Sequence, residues 1–126
     1  MLRVLIAAAI AFSALPAVAA PSLLGDWEGV VSVDSARVRV VLHITPAEAG
    51  LPDAALDSPD QGAMDIPGKV KAQEGDKAEM VFFSVGGTYV TTISPDGRTL
   101  TGIWSQGNRD LPLVLTRRAI PTSPAG

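Results

Sequence analysis

The chain has 126 residues, of which ten are Lys or Arg and thirteen Asp or Glu, with one histidine and no cysteine, for a net charge of −3. Without cysteine there is no disulfide, no thiolate nucleophile and no thiolate metal ligand. The basic clusters are only pairs (Arg37/Arg39, Lys69/Lys71 and Arg117/Arg118) on an acidic background, which argues against a nucleic-acid partner.

Met1-Leu2-Arg3 is a short basic start. Residues 4–15 follow with no charge and only Ser13 as a polar interruption, then Pro16-Ala17-Val18-Ala19-Ala20. Small residues at −3 and −1 fit signal-peptidase cleavage after Ala19 or Ala20, so residues 1–20 read as a signal peptide. A membrane anchor needs about 20 apolar residues, and this run is shorter. The lipoprotein route is closed because it needs a cysteine. Removal of Arg3 leaves nine basic residues against thirteen acidic ones. The mature chain has no second long apolar run and is expected to be periplasmic or secreted, free of the membrane.

From here the chain is broken by Gly, Pro, Asp and Asn about every ten residues, with alternating β-branched runs between, the spacing of an all-β domain over residues 21–118. Residues 26–33 form the first run, with Trp27, Val31 and Val33 on one face, and Asp34-Ser35 turns it. Along 36–45, Val38, Val40, Leu42 and Ile44 share one face while Arg37, Arg39, Val41 and His43 share the other, as in a half-buried strand. A short run at 52–57 precedes what reads as the longest loop, 58–67, with two prolines and a glycine. Runs at 68–73 and 77–85 follow, the latter carrying Met80, Phe82 and Phe83. Gly86-Gly87 reads as a two-residue hairpin. Residues 88–94 place Tyr89, Thr91 and Ile93 on one face, and Pro95-Asp96-Gly97 is a turn. Residues 98–105 alternate Leu100, Gly102 and Trp104; 106–110 turn again; 111–117 alternate Leu111, Leu113 and Leu115. The tail 119–126, with two prolines, is expected to be disordered.

About eight runs joined mostly by short hairpins predict a small antiparallel up-and-down barrel, with a two-sheet β-sandwich as the alternative. A barrel of that size is filled by side chains or holds one small ligand. The bulk of the inward candidates predicts a mostly filled core with a modest pocket at one mouth.

No catalytic constellation emerges. Ser105 has Gly107 after it, but Ile103 sits where a nucleophile elbow needs glycine, and Ser58 lies between Asp57 and Pro59. His43, the only histidine, lies mid-strand beside Arg37 and Arg39 and reads as solvated or barrel-lining rather than as a general base. Asp57, Asp60 and Asp65 are oxygen ligands of the kind calcium takes, without EF-hand spacing; turn chemistry is the simpler reading. No cofactor or metal site is predicted.

The pattern Gly25-Asp26-Trp27-x-Gly29, the strand 38–44, the string Leu56-Asp57-Ser58-Pro59-Asp60-Gln61-Gly62-Ala63 with Ile66-Pro67, and Leu100-x-Gly102-x-Trp104-x-Gln106-Gly107 with Leu111-Pro112-Leu113-x-Leu115-x-Arg117 resemble the small β-domain ahead of many exported bacterial α/β-hydrolases. The resemblance spans about 24–118. In such proteins the triad lies in the following domain, so the resemblance implies a non-catalytic accessory domain and transfers no catalytic residue. A looser resemblance is to lipocalin and avidin-like barrels, which open with Gly-x-Trp and cover that Trp with a last-strand Arg, here Arg117.

Three functions follow, in order: a non-enzymatic domain assisting a separate hydrolase, with its contact surface at Ser58, Asp60 and Gln61 and at the hairpin carrying Gln106 and Arg109; a barrel binding a small apolar ligand, with Trp27, Tyr89 and Trp104 lining one mouth; and, remotely, a hydrolase.

Overall fold

The computed structural model describes residues 21–118; the expected signal peptide, 1–20, and the tail, 119–126, lie outside the described residues. Eight antiparallel strands close into a barrel in chain order. They are β1 (Gly25–Val33), β2 (Ala36–Thr45), β3 (Asp53–Ser58), β4 (Ala63–Glu74), β5 (Lys77–Phe82), β6 (Gly87–Ile93), β7 (Thr99–Gln106) and β8 (Arg109–Arg117). The up-and-down barrel is therefore the fold, and the sandwich is not.

Period-2 patterning does the sorting. Along β2, Val38, Val40, Leu42 and Ile44 are buried while the residues between them are not. A one-residue slip would exchange the two sets, so the register Trp27↔Leu42, Gly29↔Val40, Val31↔Val38 is strongly specified. Three two-residue hairpins, at 34–35, 75–76 and 107–108, each begin with a left-handed residue: Asp34, Gly75 and Gly107. Such turns need positive φ there, and Asp adopts it more readily than most side chains.

Three expectations change. The segment 58–67 is not a loop. It is a single 3-10 turn, Pro59–Gln61, capped by left-handed Gly62, after which β4 starts at Ala63. Pro67 is tolerated because it faces Ala55 of β3, whereas β4 pairs with β5 only from Lys69 onward; the ladder beside the ring is one-sided. Second, the run 77–85 stops at Phe82, and Phe83–Val85 form another 3-10 turn capped by Gly86. Gly86-Gly87 is thus a cap and a strand start rather than a hairpin, and Phe83 is 82% exposed. Adjacent residues cannot both face inward, and Phe82 takes the interior because Gly68 leaves room for its ring: a Cβ on Gly68 would lie 2.3 Å from it. Third, Trp27 and Tyr89 do not line a mouth; they are packed in the opposite half of the barrel.

One end of the barrel is sealed. Trp27 is fully buried and its Nε1 donates to Leu23 O at 2.9 Å. The Arg117 guanidinium carbon lies 4.2 Å from the centroid of the indole ring. The same guanidinium donates to Gly97 O, Leu24 O and Ser22 O at 2.6–2.9 Å, tying residues 22–24 across the barrel end. Beneath this lid Leu42, Met80, Leu100 and Leu115 are buried to within 1%. Tyr89 joins them, donating to Leu113 O at 2.8 Å, and burial pushes its phenol up to about 12.

Arg117→Ala removes the stacking and three carbonyl partners together, and a loss of about 2–3 kcal/mol is expected in urea denaturation. Arg117→Lys should recover only part, because an ammonium lacks the planar fork that reaches three carbonyls.

Candidate functional site

The other end carries the turns 34–35, 59–62, 83–86 and 107–108. Here the inward side chains are small, and a cavity of about 270 Å³ opens between them. Its wall is apolar: Val31, Val38, Val40, Leu56, Ile66, Trp104 and Leu113. Its rim carries Ser58, Gln61, Gln106 and Arg109.

Each rim group is placed by a local rule. Counting by twos from buried Trp104 reaches Gln106 at the end of β7; counting back from Leu113 through Leu111 reaches Arg109 at the start of β8. The hairpin 107–108 sets these two opposite each other. Ser58 ends β3 as its last inward residue, and the 3-10 turn brings Gln61 over it, so that Ser58 Oγ donates to Gln61 Oε1 at 2.7 Å. Gln106 is held at both ends: its Oε1 accepts from Trp104 Nε1 and its Nε2 donates to Val85 O, each at 3.0 Å. That fixes the Trp104 ring as a cavity wall. Gly87 makes the ring's position available, since a Cβ there would lie 2.4 Å from it. Phe82 packs against the same ring at 5.5 Å between centroids. Arg109 forms a fork–fork pair with Asp34 at 3.1 and 3.2 Å, from β8 to the turn after β1.

Of the residues singled out from the sequence, Ser58, Gln61, Trp104, Gln106 and Arg109 come together at one mouth. Trp27 and Tyr89 belong to the sealed half. Asp60 points elsewhere: it takes the Arg39 side chain at 2.6–3.1 Å and the Arg39 backbone N–H at 3.0 Å on the outer wall. This pairing holds the Asp60 carboxyl at about 2. The sequence marks the cavity valines only as core and Asp34 only as a turn residue, although Asp34 has the short polar side chain and turn position that reach a neighbouring strand end.

His43 is on the outside, and it is more than a solvated residue. Its Nδ1 meets Asp26 Oδ1 and its Nε2 meets Asp57 Oδ2, both at 2.8 Å. Only the imidazolium can donate from both nitrogens. Burial opposes the charge, yet the hydrogen bonds to Asp57 and Asp26 outweigh it and the His43 pKa is raised. Asp57 is held low chiefly by the Asp65 backbone N–H, a 2.8 Å bond that pins the irregular β3–β4 register beside the cavity mouth. The Asp57 and Asp60 carboxylates therefore take different partners, His43 with the Asp65 backbone N–H for the first and Arg39 for the second, and among the described residues no three His, Asp or Glu are placed to share a metal ion.

Comparison with protein-family models, with curated proteins and with solved structures returns no match.

A raised histidine stabilises the folded state below its unfolded pKa, and that contribution is lost as pH rises through the folded value. The lowered Asp57 and Asp60 act oppositely, stabilising above the usual carboxylate range and failing as pH falls through their folded values. Stability is therefore expected to peak in mildly acidic solution and to decline from there into the alkaline range. His43→Asn should flatten the alkaline decline in urea midpoints measured from about pH 2 to 9 and leave most of the acid limb in place, since Asp57 is held low chiefly by the Asp65 backbone N–H and Asp60 by Arg39.

Proposed function

We propose that this barrel is a non-catalytic binding protein for a small, mostly apolar molecule, held in the open end. The carrying observation is the cavity itself: about 270 Å³, walled by aliphatic side chains and Trp104, with polar groups confined to the rim. Small-molecule sites share this composition, apolar walls with a few placed polar groups. By proportion to a ~150 Å³ cavity that accepts benzene, it takes about ten or eleven non-hydrogen atoms. The export-type leader suggests that the ligand is met outside the cytoplasm.

A partner-binding role, as the resemblance to hydrolase-attached domains implies, finds one supporting feature. The segments carrying Ser58 and Gln61 and carrying Gln106 and Arg109 flank one mouth, and Phe83 stands 82% exposed at the same end. A companion protein seated there would cover the cavity, so the two roles compete for one surface.

Trp104 is the built-in reporter, since Trp27 is sealed at the far end. Titration with octan-1-ol should change the fluorescence of the wild type, and Trp104→Phe should abolish the change. Val38→Phe, which fills the cavity, should weaken binding at least ten-fold while leaving the urea midpoint unchanged or higher. An unaltered signal in the wild type, confirmed by calorimetry, would reject the ligand-binding reading.

A further inference from the structure

The cavity is polarised along its axis, and among the described residues its one charged lining residue is Arg109. Apolar walls lie deep; hydrogen-bonding groups stand at the rim. A ligand matching this distribution has a hydrocarbon body and one polar head, with the head outward. The three other rim groups, Ser58, Gln61 and Gln106, are neutral, so the sign of the preferred head is set by Arg109.

The Arg109 guanidinium is already arranged as it would hold a carboxylate. Two of its nitrogens meet the two oxygens of Asp34 at 3.1 and 3.2 Å. Asp34 is 74% exposed and sits on a turn rather than in a strand, so its release costs little packing. An exposed pair of this kind contributes little to stability. Its location has a second consequence. β1 and β8 pair over three positions only, from Trp27↔Arg117 to Gly29↔Leu115, whereas β1 and β2 pair over nine. Towards the open end β1 and β8 therefore run without ladder bonds, and the Asp34–Arg109 pair is the polar link across that part of the seam. Val31 and Val33 on one side and Leu111 and Leu113 on the other line the cavity along it.

Building on the cavity as a ligand site, we propose that its ligand is an amphipathic monocarboxylate with a medium-length hydrocarbon body, and that Arg109 is the head-group residue. Asp34 is the internal stand-in for the ligand carboxylate, exchanged when the ligand binds, and its departure loosens the β1–β8 seam to admit the hydrocarbon body.

Octanoate and octan-1-ol differ in head group and match in chain, so their dissociation constants at pH 7.4 isolate the role of charge. The wild type is expected to bind octanoate about ten-fold more tightly than octan-1-ol. Arg109→Gln should abolish that preference, bringing the two dissociation constants together. Asp34→Asn keeps a residue that tolerates positive φ and removes the competing charge; it should tighten octanoate binding several-fold and widen the preference for octanoate over the alcohol. Equal affinities in the wild type, or a preference that survives Arg109→Gln, overturn the proposal while octan-1-ol binding upholds the cavity as a site. Failure of both ligands in wild type and Asp34→Asn alike removes the site and the head-group assignment together.

Discussion

The barrel closes through a ladder of three residue pairs, and its two ends differ because that ladder sits at one of them. Seven of the eight strand contacts arise between neighbours in sequence, where a turn fixes the register and loop closure is inexpensive. The eighth joins β1 to β8, some ninety residues apart, and is confined to Trp27–Gly29 against Leu115–Arg117. Gly29 permits the approach: a Cβ there would lie 2.3 Å from Val114 O. This junction carries the largest fully buried side chain, Trp27, beside buried Leu115 and the cation that covers the indole. Arg117 is at once the last ladder residue, the cover of Trp27 and the anchor of residues 22–24. Closure and sealing are thus one physical event.

Side-chain volume follows the same division. Trp27, Tyr89, Leu42, Met80, Leu100 and Leu115 fill the sealed half with almost no exposed surface. On the other side of Trp104 the inward positions carry Val31, Val33, Val38, Ala63 and Ser58, which are too small to meet across a barrel of eight strands. Two connections of the same kind frame this mouth. Each is a single 3-10 turn ended by a left-handed glycine, and each contributes one residue to the cavity, Gln61 from the first and Val85 from the second.

Much of this was legible. Alternation of two placed Val38 to Ile44 inward, Arg37 to His43 outward, and the Leu111–Leu115 series on the core, because a half-buried strand imposes that period whatever its neighbours do. The turn within 106–110 was marked by Gly107, which supplies the positive φ the hairpin needs. What the pattern missed depended on partners distant in sequence. Pro59, Gly62 and Pro67 look like a loop until β3 is seen pairing with Ala63 to Lys69. Phe82 and Phe83 are indistinguishable by type, and only the space above Gly68 selects between them. Trp27 and Tyr89 were grouped with Trp104 by chemistry, although the position of Trp27 near the start of β1, far from the turn at 34–35, already assigns it to the opposite end. The double hydrogen bond of His43 was hidden for the same reason: Asp26 and Asp57 reach it from two different strands.

The open end is better understood as a retained arrangement than as a packing defect. A void walled only by aliphatic groups loses dispersion contacts and is destabilising in proportion to its volume, and larger residues at Val31 or Val38 would relieve it. The rim shows a different organisation. Ser58 engages Gln61, and Gln106 engages both Trp104 and Val85, so the polar side chains at the mouth hold one another in fixed positions. Such a network stabilises a mouth of defined shape and opposes the collapse that would close it. The sealed half supplies the stability that this costs, through a packed core in which Trp27 and Tyr89 donate to backbone carbonyls. A small domain without disulfides has little stability to spare, and the division of labour between its two ends lets one be rigid and full while the other keeps room for a guest.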